Sequence, residues 1–401
     1  MKRGQRSLER TRRREFLAAI GMATVTACKR PDPSSAAGAN MRPYGDRSPY
    51  EKSERVLREL TKSPGTGSSR TPLQDLHGII TPSSLHYERH HSGVPAIDPA
   101  EHRLLVHGLV SRPLSFSLDD LKQFPSISRI HFLECSGNSV GDQLGNPLPT
   151  VQQSHGLLSC SEWTGASLAL VLREAGLLPE ARWMIAEGAD AGRMSRSIPI
   201  EKALDDALLV YAQNGEALRP EQGYPLRLLL PGWEGNTSVK WLHRLELAAA
   251  PAMSAKETAY YTELMPDGKA RQFSFVMDAR SVITRPSGGH KLNGPGFHEI
   301  TGLAWSGNGL VSRVEVSVDG GKNWTDAELQ TPVLPRAATR FRYPWRWHGD
   351  AAVLQSRCTD ETGYLQPTHE EFIAVYGLHS NYHYHAIKSW FVRPSGEVTP
   401  V

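Results

Sequence analysis

The stretch HFLECSGNS, residues 131–139, ends an apolar run on a cysteine and leads straight into Ser-Gly-Asn. A thiolate is a soft, anionic ligand, and a cysteine at a strand end beside a glycine-containing turn is both reachable and held by the backbone. Such a position suits a metal ion. A buried cysteine acting as a small apolar group is the competing reading of these residues alone, so the surroundings must decide. The chain has four cysteines, Cys28, Cys135, Cys160 and Cys358, too few for a disulfide framework. A Cys160–Cys358 disulfide stays open, since spacing argues neither way. No two cysteines are separated by two residues, so the chain has no attachment site for c-type haem and no ligand set for an iron–sulfur cluster. Electrons taken at such a centre would pass to another protein.

The elements that must hold this cysteine are short. Residues 130–133 form an apolar strand candidate just before it, and residues 103–110 alternate as a strand. Residues 117–124 open with a capping serine and two aspartates and predict a helix. A second helix is predicted over 167–175, stopped by Gly176, and a third over 200–207. Residues 225–230 and 239–247 read as buried strands around a glycine-rich turn, 231–238. Nearer the start, Val56, Leu57 and Leu60 fall at helical spacing within 49–60, before a break at 65–69. This irregular mixture predicts an α+β domain rather than alternating βαβ units. From about Arg285 the texture changes to short alternating runs, 294–305 and 311–318. There Val314, Val316 and Val318 share one face against Glu315 and Ser317, and residues 319–323 predict a hairpin turn with Trp324 restarting the partner strand. This half predicts an all-β sandwich of immunoglobulin type. Its Tyr343, Trp345 and Trp347 suit an interface or a core.

A length of 401 residues with 39% hydrophobic content describes a globular protein of roughly two domains. The net charge of +3 shrinks once the arginine-rich first fourteen residues are set aside, so no basic stripe argues for nucleic acid. Arg13-Arg14-Glu15-Phe16-Leu17 precedes an apolar stretch, 18–27, too brief to span a bilayer, and reads as a twin-arginine export signal. A basic tail is the alternative. Val25-Thr26-Ala27-Cys28 matches a lipoprotein cleavage box, which would leave lipid on Cys28; otherwise Cys28 is discarded with the signal. Residues 29–40 have the Pro/Ser/Ala/Gly composition of a tether. The twin-arginine route usually carries proteins already folded around a cofactor.

Four motifs in order, HYERHH (86–91), ECSGN (134–138), EGAD (187–190) and GYPLRLLLPGWEGNTSVKWLHRLEL (223–247), resemble those of the sulfite oxidase family of molybdopterin enzymes. The likeness runs from about residue 76 to the C-terminus. It implies that Cys135 binds molybdenum. It further implies a pterin and phosphate cradle from Tyr87, Glu88, Arg89, His90, His91, Asp190, Gln222, Arg227, Ser238, Val239 and Lys240. A pterin with a phosphate tail needs fixed cationic donors and backbone N–H groups, and arginine offers a planar fork for phosphate. Taken singly, Arg227 reads as an ion-pair arginine and His90-His91 as a polar loop; only their joint order points to a site. The family's tyrosine near the metal falls on Tyr260-Tyr261, of which Tyr261 is preferred, and a pair of packing aromatics is the alternative. Arg89 and Tyr261 would orient substrate. The implied layout is a signal and linker over 1–40, an N-terminal helical extension over 41–75, a molybdopterin-binding catalytic domain over 76–285, and an immunoglobulin-like dimerisation domain over 286–395.

Two departures bear on substrate. Ser139 and Val140 stand where animal and plant sulfite oxidases include an arginine that helps hold sulfite, and Gln222 stands where a histidine is usual. These, with LHYERHHSGVPAIDP (85–99) and NYHYHAIKSW (381–390), resemble the sulfane dehydrogenase branch of the family, from bacterial sulfur oxidation. That branch implies oxygen-atom transfer to sulfane sulfur borne on a carrier protein, a c-type cytochrome subunit as acceptor, a homodimer within a heterotetramer, and a periplasmic location. A periplasmic sulfite dehydrogenase acting on free sulfite is the first alternative. A methionine sulfoxide repair enzyme is a second, weakened by the sandwich half. An exported binding lipoprotein with an idle cysteine is the non-enzymatic alternative.

Overall fold

The computed structural model describes residues 41–59, 65–378 and 383–401, with the Glu59 side chain left aside. The export signal, Cys28 and the tether lie outside the described residues, as do Leu60 and the Asn381-Tyr382 start of the last motif. Residues 53–401 pack as one compact unit. Before it, residues 41–50 are exposed, and a turn is closed by the Glu51 N–H donating to the Ser48 carbonyl at 3.1 Å.

The helix expected over 49–60 is a strand. Val56–Glu59 pairs antiparallel with Gly67–Arg70, in register Val56 with Arg70, and Gly67–Arg70 pairs in turn with Glu88–His90. Helical spacing of two or three apolar residues is a weak signal, and no core receives such a face here, since Leu57 is 72% exposed. Interstrand hydrogen bonds to residues far along the chain override it.

The cysteine sits at the end of a longer strand than expected, Ser126–Glu134, paired along its length with Leu158–Ser167 so that Phe132 faces Cys160 and Glu134 faces Leu158. Leu208–Gln213 continues this sheet, with Arg227–Leu229 against it. A second, mixed sheet runs Leu114–Phe116, Leu104–Gly108, Leu242–Ala248, Trp183–Gly188, Ser195–Pro199. Only its Leu242–Ala248 and Leu104–Gly108 pair is parallel. The helix Leu168–Ala175 buries Leu168, Val171, Leu172 and Ala175, an i, i+3, i+4, i+7 stripe. The stripe shares a core with Leu104, Val106 and Leu245 of the mixed sheet and Leu209 of the other. Each such leucine contributes about 2 kcal/mol on burial. Gly176 ends the helix at φ 71°, where a Cβ would lie 1.9 Å from Ser111 Oγ. Leu118–Lys122 carries the expected cap, with Ser117 and Asp120 bonding reciprocally.

The C-terminal half is a two-sheet sandwich. Arg280–Arg285, Gly296–Trp305, Thr339–Trp347 and Glu328–Gln330 form one sheet. The other runs Thr325–Asp326, Val311–Ser317, Ala352–Asp360, Ser389–Val392, Val398–Pro400. The hairpin turn over 319–323 is built on Asp319, which accepts from the Asn323 N–H at 3.0 Å, and the partner strand starts at Thr325. Val314 and Val316 face the core, but Glu315 and Ser317 are buried too. Their face is roofed by Arg357, which pairs with Glu315 at 2.8 Å and stacks over Trp324 at 4.3 Å. Trp345 and Trp347 are core residues, with Tyr343 packed beside them. Phe132, Leu158 and Cys160 of the cysteine sheet belong to the same apolar cluster as Val282, Trp305 and Cys358 of the sandwich, so the two halves share one interior. Cys160 and Cys358 are free thiols, which settles the open disulfide; burial pushes Cys160 up to about 12.

Candidate active site

Immediately after its strand, Cys135 donates its N–H to the Leu157 carbonyl at 3.0 Å, and its own carbonyl accepts from Asn138 at 2.9 Å. Asn138 is the keystone of this turn: its amide donates to Glu134 and to the His155 carbonyl, both at 2.9 Å, and accepts from the Leu157 N–H. Below it, the buried Glu134 carboxylate takes Arg280 at 2.6 Å and the Trp305 indole N–H at 2.6 Å. Both partners come from the sandwich. Arg280 also donates to Ser139 Oγ. From the C-terminal segment, the His383 N–H donates to the Ser136 carbonyl at 2.8 Å.

Cys135 opens into a cavity of about 420 Å³. Burial pushes its thiol up, opposed by the Gly137 N–H and by the Arg89 and Arg70 guanidinium charges. Every site residue singled out in the sequence lines this cavity: Tyr87 to His91, Cys135, Asp190, Gln222, Arg227, Ser238 to Lys240, and Tyr261. Tyr260, by contrast, points away at 47% exposure and stacks under Lys256.

The strand Glu88–His90 and the turn before Leu242–Ala248 bring the cationic end together. Buried Arg227 donates to the Gln222 and Ser238 carbonyls at 3.0 and 3.1 Å, and its guanidinium lies over Trp163. Lys240 donates to the Glu221 carbonyl at 2.9 Å and approaches His90 Nδ1 at 3.0 Å. Burial, then the Arg227 charge, lowers it to about 7. Gln222 donates to the Tyr87 carbonyl at 2.8 Å. Glu88 pairs with Arg55 at 2.7 Å and bonds His90. Burial holds both His86 and His91 down at about 3, so their imidazoles are neutral. Asp190 accepts from the Met194 N–H at 3.0 Å, and Ser238 Oγ from the Leu230 N–H. Thus Ser238 offers backbone more than hydroxyl.

The wall fits an anionic, hydrogen-bonding guest. Arg227 Nε, His86 Nε2 and Arg70 Nη1 are buried polar atoms without a partner among the described residues, and all three residues line the cavity. Such atoms are costly unless a guest completes them. Gly235 lets the chain approach, since a Cβ there would lie 2.7 Å from both the Glu134 carbonyl and the Tyr87 hydroxyl. A thiol at one end and paired cations at the other match a metal held by a pterin with a phosphate tail. Sequence reasoning missed Arg58, Arg70, His86 and Trp241 on this wall. Arg58 and Arg70 carry no motif; strand pairing alone brings them in.

Comparison with known proteins agrees with this geometry. Residues 91–256 match the oxidoreductase molybdopterin binding domain, and residues 271–389 the Mo-co oxidoreductase dimerisation domain. The sulfane dehydrogenase SoxCD from Paracoccus pantotrophus superimposes with a TM-score of 0.91 at 44% identity, covering 94% of this chain and 98% of that one. The chain belongs to the sulfite oxidase family. Mitochondrial sulfite oxidase of Mus musculus is 34% identical over 316 residues, 72% of this chain and 58% of that protein. An NADH nitrate reductase of Arabidopsis thaliana is 31% identical over 341 residues, 76% of this chain and 37% of that protein. This sulfite oxidase family member therefore spans under two thirds of the length of those curated relatives. Molybdopterin is the cofactor of its matched domain, and the cavity is where the family's chemistry has its donors.

Proposed function

We propose that this protein oxidises sulfur by oxygen-atom transfer, acting on sulfane sulfur borne on a carrier protein and passing electrons singly to a c-type cytochrome. The observation that carries this reading is uncharged Val140 on the cavity wall beside Cys135, with Ser139 turned away to Arg280. A pocket to which this turn contributes no cation, leaving those of Arg70 and Arg89, suits a bulkier, protein-borne donor better than bare sulfite. The likeness to the sulfane dehydrogenase over nearly the whole chain supports the same choice.

When bound, the cofactor supplies the two-electron oxidation, with the added oxygen drawn from water. Cys135 provides the thiolate ligand. Arg227 and Lys240 would hold the phosphate end, while the neutral His86 has Nε2 available for a hydrogen bond. Tyr261 lines the same cavity and would orient substrate, its ring fixed under the Arg196 guanidinium at 4.4 Å, which Glu257 holds at 2.9 Å. Arg89 places a positive charge near the sulfur, favouring an anionic product. We further propose a periplasmic location reached by twin-arginine export, and a homodimer formed through the sandwich, joined by the cytochrome subunit.

Oxidation of free sulfite is the second reading, favoured by the cationic wall and by the sulfite oxidase of Mus musculus. An assay with a cytochrome c acceptor separates the two: carrier-bound sulfane sulfur should be turned over in preference to free sulfite, and the reverse preference overturns the first reading. Elemental analysis for molybdenum and fluorescence of the oxidised pterin test both against a binding protein that holds neither.

A further inference from the structure

Arg70 is a buried cation whose Nη1 has no hydrogen-bond partner among the described residues. Its strand, Gly67–Arg70, is hydrogen-bonded on both sides, which fixes the backbone. Its Cβ lies against Gly156, where an added Cβ would come within 2.8 Å, and the next residue, Leu157, accepts the Cys135 N–H. The side chain therefore starts two residues' width from the cysteine and enters the cavity. It is 7% exposed, and its Nη1 has no hydrogen-bond partner.

The other buried arginines are all engaged. Arg280 pairs with Glu134, Arg196 with Glu257, Arg340 donates to the Gly78 and Leu76 carbonyls, and Arg227 to the Gln222 and Ser238 carbonyls. Arg70 makes no ion pair among the described residues. Burial, with the like charge of exposed Arg58 on the neighbouring strand, lowers Arg70 to about 10, so it remains a cation. An anion entering the cavity would offset this like-charge repulsion and give the unpartnered Arg70 Nη1 an acceptor. The backbone contacts of these cations differ. Arg70 is placed near Cys135 through the Gly156–Leu157 backbone, whereas Arg227 and Lys240 bond the Gln222, Ser238 and Glu221 carbonyls. Arg70 thus belongs to the sulfur end rather than the phosphate end.

We propose that Arg70, with Arg58 at the mouth, forms an anion subsite that grips the sulfonate or sulfur-oxyanion head of the substrate or product beside Cys135. This deepens the function proposed above and rests on it. A tetrahedral head with three oxygens matches the planar fork of one guanidinium and the second charge behind it. The same chemistry reaches the site as a free oxyanion or as the sulfonate end of a carrier cysteine.

The test uses holoenzyme and the variants Arg70→Gln, Arg70→Lys and Arg58→Gln. Binding is measured by calorimetry with two probes, sulfate and a peptide carrying an S-sulfonated cysteine. Arg70→Gln should weaken binding by about tenfold to a hundredfold, and Arg70→Lys should restore part of it. Arg58→Gln should lose less, and its loss should shrink at high salt. Loss confined to sulfate assigns the subsite to free oxyanions, and loss confined to the peptide assigns it to the carrier. Wild-type affinity for both probes in Arg70→Gln overturns the proposal. So does loss of molybdenum and pterin in step with loss of binding, since Arg70 would then hold the cofactor. Failure of the underlying function is distinguishable: wild-type protein would bind the probes yet oxidise no sulfur donor.

Discussion

Removing the Glu134 carboxylate should destabilise the protein far more than its single side chain suggests. Glu134 accepts from Arg280 at 2.6 Å, Trp305 at 2.6 Å and Asn138 at 2.9 Å, and both members of the ion pair are almost fully buried. In Glu134→Ala a buried guanidinium loses its counter-charge, which costs about 3–5 kcal/mol, and two further donors lose their acceptor, at about 1 kcal/mol each. Arg280→Ala leaves the carboxylate with two donors, so its cost should be smaller, about 3 kcal/mol. The double variant strands no charge, so it should fall short of the sum of the singles by about 2 kcal/mol or more. Urea unfolding followed by tryptophan fluorescence measures all three, and Trp305 reports from within the cluster. Singles that add to within about 0.5 kcal/mol of the double would refute the reasoning. The same variants should lose molybdenum more readily than wild type, because the residue after Glu134 is Cys135.

Cys135→Ser should abolish turnover and the molybdenum paramagnetic signal while leaving the melting temperature close to wild type, because the thiol lines a cavity at the edge of its apolar cluster and serine nearly matches its size; an active variant would remove the metal-ligand role. Asp278 pairs with His383 at 3.5 Å. Burial lowers the His383 pKa, but the Asp278 hydrogen bond and charge outweigh it, so the net direction is up from 6.5. That contribution is whole below 6.5 and lost as pH rises through the raised value, so Asp278→Asn should cost more stability at about pH 6 than at about pH 9, as chemical denaturation will show. Lys240, at about 7, should gain a proton when an anion enters, so phosphate binding to cofactor-free protein should weaken above about pH 7, and Lys240→Met should flatten that dependence in a calorimetric titration. Gly176→Ala places a Cβ on Ser111 Oγ at a left-handed φ and should lower stability by about 1–3 kcal/mol in urea.

Much of the fold was legible because its signals are local. Ser117 with Asp120, the stripe ending at Gly176, and the turn around Asp319 each declare themselves within a few residues. Val56 and Leu57 misled because their strand exists only by pairing with 67–70, which 88–90 holds from the other side. Glu315 looked like a surface residue because nothing nearby in sequence announces Arg357 and Trp324 above it. The cavity wall divides the same way. Residues inside ordered motifs, from Tyr87 to Lys240, could be gathered by resemblance, whereas Arg70 sits in a plain Ser-Ser-Arg run and His86 shows its vacant nitrogen only in three dimensions.

Cys160 and Cys358 lying in a single apolar cluster bears on how such proteins can be rearranged. A module that lends side chains to its neighbour's interior cannot be traded between genes like a bead on a string. Cutting the chain near residue 285 would bare Phe132 and Leu158 to water and leave a carboxylate beneath the cysteine without its arginine on one fragment only if Arg280 left with the other, so a splice site just upstream of Arg280 should yield the less soluble product.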